Sequence, residues 1–296
     1  MPTLCMRDYL RPDAVGELCR EIAMPDEAVK GIVAAIETCD YSGMDEMFCG
    51  LFSLETGNAA VRAFQEKYRD TPESFKALAA YLAAALHTRE LYARLGVPQD
   101  IFRESVAVFA RAVNEHRESY GFYGFNQDFW IFRMLSANLF RLGVLEYEIY
   151  TCPAEMTVGE YAGPGDAMIS VHIPSDAVMT RQALDESYAW AKEFFAHFFP
   201  NFHYKRAFTD TWLLSPALKD LLPPTSRILE FQSDYEIIRY NPDGGSPMQR
   251  IFKNTYEDLH ELPEHTTLQR NAKQFLLGGG KIGDALGVLK GRLGVV

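Results

Sequence analysis

Histidine is scarce in this chain, with seven among 296 residues. One of them, His172, stands two positions after Ser170 in the apolar stretch 167–173. If that stretch is a strand, its side chains alternate and Ser170 and His172 share one face. Histidine titrates near neutral pH, so His172 can take a proton from an ammonium group. Glu146 and Glu148 share a face of an earlier stretch, 144–150, where Glu146 can act as a general base through a water. Asp210 and Trp212 share a face of 204–214, and an acid beside an aromatic ring suits recognition of an amine. Each group also has a plainer reading. Buried histidines are mostly hydrogen-bonded to backbone. Exposed glutamates mostly mark a solvated face, and a lone tryptophan is mostly core.

Other patterns carry less. His260 and His265 flank Glu261 and Glu264, but Pro263 interrupts the spacing that a zinc-binding helix needs, so no metal is expected. Gly278–Gly280 before Lys281 lacks the strand that precedes a phosphate loop, and reads as a helix stop followed by a loose tail. Phe194, Phe195, Phe198 and Phe199 read as a core stripe or as the wall of an acyl tunnel. Residues 120–125, with four aromatics and two glycines, form a loop able to cover a cleft.

Composition sets the class. Hydrophobic residues make up 48% and charged residues 23%, which are globular proportions. The net charge of -11 divides into -5 over residues 1–141 and -6 over 142–296. Neither half is basic, which argues against a nucleic acid or an anionic membrane as partner. The five cysteines are odd in number, widely spaced and without a CxxC pair, so neither a disulfide framework nor a zinc site is expected. The longest apolar run, 77–86, is ten residues, short of the roughly 18 that span a bilayer. No leader pattern opens the chain. A cytoplasmic protein is expected.

The elements divide near residue 142. Residues 1–141 hold 5 of the 15 prolines and read as about six helices, with Pro25, Pro72 and Pro98 at helix starts. Helices are expected over 72–96, with Thr71 as cap, over 98–119, and from about 126 to 142. From Gly143 the pattern becomes strand 144–150, strand 167–173, helix 180–199, strand 204–214, and a short helix from Pro216 to Pro223. A long extended segment at 227–240, a turn, a last strand near 249–254 and a helix at 266–277 complete it. The strand–helix–strand unit implies a right-handed crossover and a parallel pair. The closing strands, joined by a short turn, are expected to be antiparallel. The fold class is therefore α+β: a mixed sheet in 142–296 behind an all-helical domain in 1–141.

This order resembles the core of the GNAT acyltransferases. It also resembles a bacterial family with a helical N-acyltransferase N-terminal domain and a GNAT-like C-terminal domain. The resemblance rests on Arg141–Glu148, His172-Ile173-Pro174-Ser175, Thr211-Trp212-Leu213-Leu214-Ser215-Pro216, Ile228-Leu229-Glu230-Phe231-Gln232 and Thr267-Leu268-Gln269-Arg270. It covers most of the chain in arrangement, and no single piece is a catalytic signature.

The resemblance implies an acyl-CoA held where two parallel strands splay. Backbone at Val171 and Ile173 would pair with the pantetheine. The turn at Ser175, Val178 and Thr180, with Arg181 at the helix start, would receive the pyrophosphate. His172, Glu146 and Asp210 would carry proton transfer, and Ser170 and Trp212 would line the acceptor. The acceptor would be a small-molecule amine, with the helical half covering its side of the cleft. The turn 175–180 has no glycine and contains Asp176, so an acyl carrier protein as donor stays open beside CoA. The tyrosine that GNAT enzymes often use as acid has no counterpart in 216–222, which leaves the proton donor unassigned. A non-catalytic sensor of acyl-CoA or amine, and an interaction protein, are the alternatives.

Overall fold

The structure, a computed structural model, describes residues 4–154, 156–254, 256–291 and 293. The chain divides into two compact units, Met1–Arg141 and Leu142–Val296.

The first unit is helical. Its helices are α1 (Pro12–Glu21), α2 (Asp26–Thr38), α3 (Asp45–Gly50), α4 (Gly57–Tyr68), α5 (Phe75–Leu95), α6 (Gln99–Val106), α7 (Val108–Tyr120) and α8 (Phe132–Leu135). The long apolar run lies in α5, where every residue from Ala77 to Ala85 is buried. A helix apolar on all sides belongs in the middle of a bundle. Its alanines admit α1 and α2 at short range, and Gly31 of α2 leaves room for Phe75, whose ring lies 2.4 Å from where a Cβ would stand. Pro25 and Pro98 occupy N-cap positions, whereas α5 begins after Ser74 rather than at Pro72. The segment expected as one helix over 98–119 is two, parted at Ala107.

The segment expected as a helix up to residue 142 changes form. A 3-10 turn at Asp128–Trp130 and the short α8 lead to Ala137, whose φ of 53° lies in the left-handed region. That conformation ends a helix. A strand follows instead, β1 (Leu139–Leu142), buried at all four positions. Among the described residues no helix is long and apolar enough to cross a membrane.

The second unit adds β2 (Leu145–Thr151), β3 (Ala167–His172), α9 (Arg181–Phe198), β4 (Ala207–Thr211), α10 (Leu218–Leu221), α11 (Arg227–Ser233), β5 (Tyr235–Asn241), α12 (Ser246–Phe252), α13 (Thr267–Leu277) and β6 (Asp284–Leu289). The six strands form one sheet in the order β1-β2-β3-β4-β6-β5. β3 and β4 are parallel, with α9 as the crossover, and β2–β3, β4–β6 and β5–β6 are antiparallel. Leu184, Tyr188, Ala191 and Phe195 form the buried stripe of α9, and Tyr147 of β2 bonds Ser187 of that helix at 2.9 Å. Part of the opposite sheet face, at Met168, Phe208, Leu286 and Val288, is covered by Cys152, Val158 and Ala162. The mixed α+β class holds.

The closing region differs from expectation. The segment 227–240 is not one extended piece. Ser226 accepts the amide of Ile228 and starts α11, and only the part from Tyr235 is a strand. The expected last strand near 249–254 is the helix α12. The true last strand is β6, in the tail beyond the glycines. It inserts between β4 and β5, and at Gly287 a Cβ would lie 2.5 Å from a methyl of Leu214, so a larger residue there would displace that buried side chain. The closing pair is antiparallel, but the connection is the whole of 242–283 rather than a tight turn.

Candidate functional site

The parallel strands part early. Their register runs over Ile169↔Ala207 and Ser170↔Phe208, and among the described residues it ends there. β3 nevertheless continues to His172 against β2, and β4 continues to Thr211 against β6. The sheet is thus open between the C-terminal ends of β3 and β4. The amide of Ile169 donates to the carbonyl of Arg206 at 3.1 Å, on the β4 side. Peptide groups alternate along a strand, so the N–H and C=O of Val171 point the same way, into the gap. Ile173 lies just past the strand end. An extended ligand with amide groups can pair with such an edge.

His172 and the glutamates meet on one sheet face. In the β2–β3 register Glu146 lies opposite His172, and Glu148 lies opposite Ser170. One hydrogen bond is diagonal: Nε2 of His172 is 2.9 Å from Oε2 of Glu148. The Glu148 side chain is 6% exposed and that of His172 is 25% exposed. Glu146 and Ser170 are also buried. The solvated-face reading of the two glutamates therefore fails, because both are buried. Glu148 was not among the expected site residues, and its only local signal was its place two positions after Glu146.

The turn expected to face a phosphate leads into α9. Thr180 caps α9, and its Oγ1 accepts from the Ala183 amide at 3.2 Å. The Leu184 amide bonds the Thr180 carbonyl, so the first two helix amides, at Arg181 and Gln182, are those left outside the helix ladder. Ser175 and Val178 are exposed in the turn, but the Ala177 amide is taken by Pro174 and that of Thr180 by Val178.

Arg181 is engaged within the fold. Its Nη1 donates to both oxygens of Asp234, at 2.9 and 3.0 Å, and Nη2 lies 2.9 Å from Asp185. The Asp234 side chain is 4% exposed and also accepts from Tyr188. Burial drives the hydroxyls of Tyr188 and Tyr235 well above the ordinary tyrosine range, so both stay neutral donors beside it. The charge expected to meet phosphate already serves a buried carboxylate 53 residues away, and nothing local announced that partner.

Asp210 and Trp212 separate. β4 ends at Thr211, whose Oγ1 accepts the Leu213 amide and turns the chain into a 3-10 turn at Trp212–Leu214. The shared face expected for Asp210 and Trp212 required the strand to run on. Trp212 instead packs against a hydrophobic cluster that includes Leu218, Leu221 and Phe252. Asp210 is exposed and holds Arg239 at 3.0 Å. With Asn241 and Asp284 these two line a depression of about 390 Å³. Asp210 lies two residues past Phe208, as His172 lies two past Ser170, so the two share one sheet face on either side of the splay, with Asp210 turned to Arg239 of β5. Among the described residues no group of three or more His, Cys, Asp or Glu is arranged to hold a metal.

Residues 13–137 match an N-acyltransferase N-terminal domain, and residues 139–289 match a GNAT-like C-terminal domain. No curated protein matches the chain. Several solved structures are similar along nearly its whole length. One is an acyltransferase in complex with decanoyl-CoA and teicoplanin, 23% identical, with a TM-score of 0.75 over 94% of this chain and 87% of that one. A second is an acyltransferase in complex with CoA and 10C-teicoplanin, 23% identical, with a TM-score of 0.73 over 93% and 86%. A third, with decanoyl-CoA, is 22% identical, with a TM-score of 0.74 over 94% and 88%. At these identities the likeness establishes the fold. The two domain matches, in order and together spanning most of the sequence, establish that the chain belongs to the family of GNAT-like acyltransferases with an N-acyltransferase N-terminal domain.

Proposed function

We propose that this protein transfers an acyl group from acyl-CoA to an amine of a small molecule, with residues 142–296 as the transfer domain. The observation that carries the reading is the splay of β3 from β4, with His172 at its edge. The pantetheine pairs with the Val171 and Ile173 backbone, and the pyrophosphate lies on the turn at Ser175, Val178 and Thr180 and the first amides of α9. Arg181 supports that helix end through Asp234 rather than meeting the phosphate. Similar structures hold CoA, decanoyl-CoA and, in one case, teicoplanin beside decanoyl-CoA. They support a thioester donor with a fatty chain and a small-molecule acceptor.

In the proposed step His172 takes a proton from the ammonium form of the acceptor, and Glu146 and Asp210 carry the expected supporting roles. The neutral amine nitrogen attacks the thioester carbonyl. A C–N bond forms, the C–S bond breaks, the attacking nitrogen gives up its second proton to solvent, and CoA leaves as thiolate, which takes a proton from solvent. His172 returns its own proton to solvent, so one amide, one CoA thiol and one net proton result. Ser170 and the exposed Asp210 line the acceptor side, while Trp212 supports the floor from the core.

A second reading is a sensor that binds acyl-CoA without turnover. The compensated charge of Arg181 and the glycine-free turn favour it. Thiol release from acyl-CoAs of graded length, with small amines as acceptors, separates the two when combined with thermal-shift measurements. Amine-dependent release supports transfer. Stabilisation without release supports the sensor. No response to any acyl-CoA, nor to an acyl carrier protein bearing the same group, rejects both.

A further inference from the structure

The geometry points to Glu148 as the residue that positions the His172 imidazole for proton transfer, an inference that rests on the acyltransferase reading above. The two residues divide exposure between them. His172 keeps a quarter of its side chain accessible, whereas Glu148 keeps 6%. A ligand in the splay can therefore reach the ring but not the carboxylate, so Glu148 acts through His172 and not on the substrate.

Register explains why the contact is selective. Directly opposite side chains on an antiparallel pair are nearest neighbours, and diagonal ones stand farther apart. The residue opposite His172 is Glu146, yet the hydrogen bond goes diagonally to Glu148 at 2.9 Å. The ring is thus turned back along β3, towards the end where β3 still pairs with β4, and Nε2 is committed. A carboxylate accepts only, so Nε2 carries the proton and the neutral ring holds its lone pair on Nδ1. One buried acceptor thereby selects both the tautomer and the orientation of the base. Orienting partners of this kind are worth about 10- to 100-fold where they fix a histidine.

The test uses the full chain. In long-range ¹H–¹⁵N spectra at pH 8, the His172 ring, identified by the loss of its signals in His172→Ala, is expected as the Nε2–H tautomer. In Glu148→Ala it is expected to shift towards a mixture of tautomers. In the thiol-release assay, Glu148→Ala is expected to lower kcat about 10- to 100-fold with the KM for acyl-CoA within about twofold of wild type. Glu148→Gln, whose carbonyl oxygen still accepts from Nε2–H, is expected to recover part of that loss. An Nδ1–H tautomer in the wild type overturns the assignment, as does full kcat in a folded Glu148→Ala. If that variant does not fold, the wild-type spectrum and the glutamine variant still decide. The spectrum needs no turnover, so absence of thiol release by the wild type rejects the acyltransferase reading while the tautomer separately reports on Glu148.

Discussion

Arg181, the first residue of α9, donates to both carboxylate oxygens of Asp234, the residue that ends α11. The pair ties the crossover helix, at the end where a donor would bind, to the start of β5. Replacing Arg181 with methionine leaves a buried carboxylate without its cation, which costs about 3–5 kcal/mol in fully buried pairs. Here the arginine is 29% exposed, so about 1–3 kcal/mol is expected after solvent screening. Urea unfolding measures it. A stability unchanged in the variant, with weakened acyl-CoA binding, would return Arg181 to the donor site.

His172→Ala removes the proposed base and is expected to lower kcat about 100-fold or more, while the protein keeps its melting temperature within a few degrees. Glu146→Ala, opposite it in register, is expected to lower turnover less, because the Glu148 carboxylate that holds the ring is kept. Steady-state thiol release on both variants checks the order. Full activity in both sinks the assignment of the base.

His87 supplies a pH dependence that is independent of the site. Burial holds its imidazole below the usual histidine range, against the opposing pull of the Glu90 carboxylate, and its Nδ1 is 2.9 Å from the Tyr9 hydroxyl. The Tyr9 hydroxyl is itself pushed up to about 12, first by burial and then by Glu90, so it stays protonated in this range. The unfolded chain takes up a proton near pH 6.5, and the folded one resists it until lower pH. Stability from this group is therefore complete above about pH 6.5 and is lost as pH falls towards the folded value. Melting curves between pH 7.5 and 5.5 are expected to fall more steeply for the wild type than for His87→Gln. Parallel curves would show that His87 does not contribute.

Part of the fold was legible locally. The apolar run at 167–173, the amphipathic stripe of α9 and a second strand after it dictate a parallel pair with a crossover, because each signal lies within a few residues. The region after Ser226 was not legible. Whether 227–254 is helix or strand depends on what each residue is packed against: buried Gln232 donates to the carbonyls of Leu213 and Ser215, and Ile251 is buried in a cluster with Leu218 and Leu221. β6 was hidden for the same reason. Its apolar stretch after a run of glycines reads as a tail until β4 and β5 accept it between them.

The candidate site divides along the same line. Residue types, the alternation along a strand and the placement of Thr180 as a cap belong to the sequence, since each depends on near neighbours only. Which glutamate bonds His172 depends on a register between strands that the sequence leaves open by two residues either way. Which group faces Arg181 depends on a contact across 53 residues. Trp212 left the site because one hydroxyl, that of Thr211, turned the chain a residue before it. Local spacing determined what chemistry was available. Only the tertiary packing decided which charges were already paired, because burial makes an unpaired charge too costly to keep for a ligand.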